Sequence, residues 1–224
     1  MFKYFVKKQY SDEENPYWIS FSDAVSGLLI IFILIMVNLH ERISNIDKEL
    51  NQKITKNLEE IKRDLSQKGI YVEVDKNIMS LPTDAIEFDS GKSNIPTNKI
   101  KMVQDIGKEV INKFKNDRNI DTIFIEGHTD CQYYGAQRGN LGLSTDRAIS
   151  VANIWASDEV EPNFWKLKNK DGKPLFSVSG YGEHRPIKKS LNGICTNDEE
   201  INKPNRRIDV RFVTKTQING TTDE

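Results

Sequence analysis

Only two cysteines, Cys131 and Cys195, occur in 224 residues. So few thiols exclude a disulfide-dense scaffold and any four-thiolate zinc site. One bridge between them remains open in an oxidising compartment, as does a pair of unrelated thiols. Charge of one sign is also missing: 32 Lys and Arg stand against 33 Asp and Glu, for a formal net charge of -1. That balance attracts no polyanion over the whole surface, so nucleic acid is not an expected partner. No Ser/His/Asp or Cys/His nucleophile arrangement and no glycine-rich phosphate loop stands out, which points to binding without turnover, and to no cofactor. His128 follows a glycine at a strand end with no Cys/His/Asp set nearby, so it reads as a loop residue and not as a metal ligand.

Against that polar background, with 29% charged residues, one block is different: Ala24 to Val37 holds no charged residue. From Trp18 to Leu39 the run is about as long as the ~20 residues a helix needs to cross ~30 Å of hydrocarbon, with Tyr17 and Trp18 suited to the interface. No small-residue cleavage site follows the block, which favours an uncleaved anchor over a signal peptide. The charge rule for orientation is nearly silent, because Lys3, Lys7 and Lys8 precede the block while Arg42, Lys48 and Lys53 follow it. A short leading tail and a large following domain point to N-inside, C-outside. Asp23 lies within this segment, and a carboxylate there costs a few kcal/mol unless it is useful or near the interface. Ser20, Asp23, Ser26 and Gly27 recur at helical spacing, forming a small, polar stripe that should face protein. The alternative is a carboxylate close enough to the helix N-terminus to be tolerated by its dipole and by water.

After the apolar block, Ile43, Ile46, Leu50, Ile54, Leu58, Ile61 and Leu65 form one stripe on an otherwise polar helix. Six steps over 22 residues average about 3.67, close to an 11-residue period, so self-association need not be a left-handed supercoil. A second, parallel copy of the chain is the natural cover for this stripe; the alternative is that it packs on its own C-terminal domain. Gly69 suits a helix C-cap. From Ile70 onward, short β-rich runs alternate with helical ones. Strands are expected at YVEVD, in the IEFDSGKSNI region, at DTIFIEGHTD, at LFSVSGYGEHRP and at RRIDVRFV, with helices around Ile100–Phe114 and Leu143–Trp155. The expected class is α+β, a mixed sheet with helices on one face. The divisions are a cytoplasmic tail 1–17, a transmembrane helix 18–39, a helical linker 40–69, the domain 70–216 and a tail 217–224.

Four ordered blocks resemble the OmpA-like peptidoglycan-binding domain: Gly127-His128-Thr129-Asp130; Asn140 with Leu143-Ser144 and Arg147-Ala148; Gly180-Tyr181-Gly182-Glu183 with Pro186; and Asn205-Arg206-Arg207. The resemblance implies that Asp130 and Arg147 hold the ammonium and carboxylate of diaminopimelate in the stem peptide, with Thr129, Asn140 and Arg207 in the same site. An ordinary Asp130–Arg147 salt bridge is the competing reading. Two departures bear on ligand grip: a longer loop between Asp130 and Asn140, and a polar, Cys-containing insertion between Ile187 and Asn205. The membrane segment resembles that of MotB-like stator subunits, and its Trp-Ile-Ser-Phe-Ser-Asp most resembles the wall-anchored subunits of Zorya anti-phage motors. This implies that Asp23 carries an ion, a proton by analogy, and that two copies pass through a ring of five larger MotA-like subunits. It places the chain in the bacterial inner membrane with its C-terminal domain in the periplasm. A flagellar-type stator and a passive membrane-to-wall tether are the alternatives.

Overall fold

In a computed structural model, residues 16–86, 88–132, 135, 137–190 and 195–215 are described. Most of the expected leading tail, the C-terminal tail and part of the 131–139 loop lie outside them. The expected transmembrane helix and linker are one element, α1, Pro16–Gln67. The chain divides into two compact units, Met1–Ile46 and Asp47–Glu224.

In the first unit, α1 carries its side chains outward from Tyr17 to Arg42, with Leu28 to Val37 each at least half exposed. Mean hydropathy reaches 2.3 in this stretch, enough for a spanning helix. Ser20, Asp23, Ser26 and Gly27 share one of its faces, as the spacing predicts.

In the second unit, the strands are β1 Glu73–Asp75, β2 Ile78–Pro82, β3 Ile120–His128, β4 Phe176–Gly180 and β5 Arg207–Thr214. Their order is β1-β2-β5-β3-β4. The β3–β4 pair is parallel and the other pairs are antiparallel, so the sheet is mixed as expected. The helices are α2 Thr83–Ile86, α3 Thr97–Phe114, α4 Gly139–Trp155 and α5 Glu199–Asn205, and the IEFDSGKSNI region, expected to be β-rich, carries no strand among the described residues. Period-2 alternation assigns the sheet's two faces. Met79, Leu81, Ile123, Ile125, Ile208, Val210 and Phe212 point into the apolar core with α3 and α4, and Trp155 Nε1 donates to Val103 O across those helices at 2.9 Å. The opposite face carries Ser80, Glu126, Asp209 and Arg211, where Arg211 Nε donates to both oxygens of Glu126 at 3.0 and 3.1 Å.

The linker expectation is corrected. Ile54, Leu58, Ile61 and Leu65 are no more than 2% exposed and belong to the same core cluster as Val103, Val110 and Phe212. The last turns of α1 are therefore part of the domain, not a free seam. Ion pairs from Lys68 to Glu109 (2.6 Å) and from Lys113 to Glu60 join α1 to α3, and Thr55 Oγ1 donates to Lys76 O at 2.9 Å. An amphipathic stripe reports only that something apolar covers it. Here, from Ile54 on, the cover is the domain itself. Ile43 and Ile46 remain about half exposed, and Leu50 is half-buried. Gly69 caps α1 as expected: its φ of +74° admits the left-handed turn that lets Ile70 N reach Leu65 O at 3.0 Å.

Candidate functional site

At one end of the sheet, β3 stops at His128 and the chain turns outward through Thr129 and Asp130. This turn is held from three sides. Thr129 N donates to Gly182 O at 2.9 Å, Gln132 N donates to Asp130 Oδ1 at 3.1 Å, and Asn140 Nδ2 donates to Gln132 O at 2.9 Å. Helix α4 can lie close enough to do this because Gly127 has no side chain. A Cβ there would meet Ser144 O at 1.9 Å, which no local adjustment relieves.

Arg147 lies two helical turns after Asn140 on the same face of α4, so both reach the turn that carries Asp130. Its Nε donates to Lys92 O at 2.9 Å and its Nη2 to Asp89 O at 3.2 Å, while its guanidinium sits 5.0 Å from the Phe88 ring centroid. These contacts wrap the 88–92 loop around the arginine. Thr129, Asp130, Asn140 and Arg147 together line a cleft of about 380 Å³. Four of the five expected wall-binding residues thus meet in one place. The Thr129 hydroxyl is buried and makes no hydrogen bond among the described residues. A larger hollow, about 520 Å³, lies between the turns at 115–118 and 168–170, but half of its lining is exposed lysine, asparagine and arginine, and its buried Asn169 already donates to Asp121 O.

The fifth residue, Arg207, is elsewhere. It opens β5 on the face away from the helices, where its Nε donates to both oxygens of Asp209 (3.1 and 2.9 Å) and its Nη2 to Arg185 O at 3.2 Å. His128 is also corrected. It is the last residue of β3, only 1% exposed, with Nε2 3.2 Å from Asp209 Oδ2 and its ring stacked on Tyr181. Burial raises the Asp209 carboxyl pKa, but His128, Arg207 and Ser80 outweigh it and hold the group below its ordinary value.

The arginine that does reach the cleft is the preceding one, Arg206. Its Nη1 donates to Asp130 Oδ2 at 2.9 Å and to Glu199 Oε1 at 3.2 Å, and its Nη2 to Glu199 Oε2 at 2.5 Å. The insertion supplies this wall. Cys131 and Cys195 form a disulfide beside Asp130, Asn202 Nδ2 donates to Thr196 O at 2.7 Å, and Asp198 caps α5 through Glu200 N at 2.9 Å. The adjacent arginines Arg206 and Arg207 cannot be told apart by type, only by which side of the strand each faces.

Residues 87–194 match the OmpA family. A Zorya protein ZorB from Escherichia coli O139:H28 (strain E24377A / ETEC) is 30% identical over 223 residues, covering 92% of this chain and 84% of that protein. The chain belongs to the ZorB family. Another ZorB, from the Crooks strain of Escherichia coli, is 22% identical and is covered, like this chain, over 92% of its length. A MotB-like protein from Desulfovibrio vulgaris shares the fold, with a TM-score of 0.54 over 76% of this chain and 99% of that one at 17% identity. With one apolar N-terminal helix ahead of an OmpA-family domain, this ZorB-family chain is a single-pass inner-membrane protein whose C-terminal domain is periplasmic. The disulfide suits that oxidising side.

Proposed function

We propose that this ZorB-family chain is the peptidoglycan-anchored subunit of an ion-driven membrane motor acting in anti-phage defence. The observation that carries the wall-binding half is the convergence of Thr129, Asp130, Asn140 and Arg147 on one cleft, with Asp130 and Arg147 set on different elements around it. A carboxylate and a guanidinium so placed complement the ammonium and carboxylate of diaminopimelate. The motor half rests on Asp23, whose carboxylate would take up a proton and release it, changing contacts with a surrounding MotA-like ring. Two copies in parallel would pass through that ring, with the exposed Ile43 and Ile46 available to meet their counterparts.

Two variants test the two halves separately. Asp130→Ala should weaken retention on purified sacculi about ten- to hundred-fold, the worth of one hydrogen bond to a charged group. Asp23→Asn should retain wall binding and membrane insertion but abolish protection in a phage-challenge assay. Full protection by Asp23→Asn overturns the ion-carrier role, and undiminished sacculus retention by a folded Asp130→Ala overturns the wall site.

A further inference from the structure

The cleft holds two carboxylates, Asp130 and Glu199, and two guanidinium groups, Arg147 and Arg206, so its formal charge sums to zero. The two arginines differ in how they are used. Arg147 is 5% exposed and directs Nε and Nη2 to the backbone carbonyls of the 88–92 loop, so part of its fork is taken up by that wall. Arg206 keeps 22% of its side chain exposed and aims both Nη groups at the carboxylate of Glu199, whose own side chain is 64% exposed. The fork of Arg206 is therefore already bidentate on a carboxylate, and one that water could readily take back.

We propose that Arg206 shares with Arg147 the carboxylate of the ligand's zwitterionic centre, and that Glu199 is an internal stand-in which the ligand's own carboxylate displaces from Arg206. This assignment rests on the cleft being the stem-peptide site. Exchange of one carboxylate for another on the same fork preserves both hydrogen bonds, and Glu199 returns to solvent. Arg206 Nη1 also bridges to Asp130 Oδ2, so the ligand's ammonium, arriving beside its carboxylate, meets an Asp130 already oriented by Arg206 and Gln132 N. The buried Thr129 hydroxyl, unpartnered among the described residues, supplies a further donor or acceptor at the same place. The hydrogen bond from Arg206 holds the Glu199 carboxyl below its ordinary pKa.

The test uses the detergent-solubilised full chain and two preparations of sacculi, one with the side-chain carboxylate of diaminopimelate free and one with it amidated. Wild type should prefer the free form. Arg206→Gln should bind the free form at least about ten-fold more weakly and lose the preference, and Arg206→Lys, which keeps the charge without the fork, should fall between them. Glu199→Gln should bind the free form about two- to five-fold more tightly, the range of a surface ion pair's competition. A merely structural role for Arg206 would lower the melting temperature and weaken both preparations equally, leaving the preference in place; that result overturns the proposal. So does Glu199→Gln binding more weakly than wild type. If Arg206→Gln binds like wild type while Asp130→Ala does not, this assignment fails and the wall site stands. If wild type and Asp130→Ala bind alike, the wall site itself fails.

Discussion

At the scale of single residues, the buried Asp209 joins both sides of the site's foundation, since His128 ends the strand that leads to Asp130 and Arg207 follows Arg206. Its folded-state pKa lies below its ordinary value, so between the two the folded protein binds fewer protons than the unfolded chain. The stability it contributes is complete above the unfolded value, about 3.9, and is lost as pH falls through the folded value. Asp209→Asn should therefore destabilise the protein by about 3 kcal/mol at neutral pH, the lower end for breaking a buried pair, and should lose less stability than wild type below pH ~4. Urea unfolding of the solubilised chain at the two pH values checks it; equal acid sensitivity in both proteins counts against the pairing. The cleft was legible as far as Asp130, Asn140 and Arg147 through the resemblance of their sequence blocks to the OmpA-like domain, and the helical i, i+7 spacing of Asn140 and Arg147 then puts both on one face. Which of Arg206 and Arg207 reaches the cleft depends on where α5 ends and β5 begins, and no residue type carries that.

At the scale of elements, the cover of α1 and the insertion were the hard parts. Strands β3 and β5 and helices α3 and α4 were readable from alternation and from 3.6-residue periodicity. Strand β2 is short and ends in proline, and α5 is polar with Pro204 inside it, so neither shows an apolar pattern of its own. The stripe on α1 was visible, but its cover was not. Its two ends should now behave differently. Leu58→Ala should cost about 2–5 kcal/mol of stability, whereas Ile46→Ala should change it by less than ~0.5. Single cysteines divide the same way: position 46 should give crosslinked dimers in membranes, and position 58, fully buried in its own domain, should not. Efficient crosslinking at 58 in folded protein would return the whole stripe to an intermolecular seam.

At the scale of the whole molecule, the Cys131–Cys195 bridge spans 64 positions of sequence and closes α4 and β4 into one loop. On the chain-entropy view such a loop is worth about 4 kcal/mol. The Cys131→Ser, Cys195→Ser double variant should melt earlier under oxidising conditions, and added reductant should lower the wild-type melting temperature toward that of the variant without altering the variant. Identical melting of the two proteins without reductant would mean that the insertion is held by its hydrogen bonds alone. At the far edge of the sheet, β1 is only three residues long and carries Glu73 and Asp75, both turned to solvent. An exposed sheet edge is a template on which another chain can add a strand, and copies concentrated on a membrane meet such edges often. Because this edge is short and doubly negative, it is a poor template for strand addition between neighbouring domains.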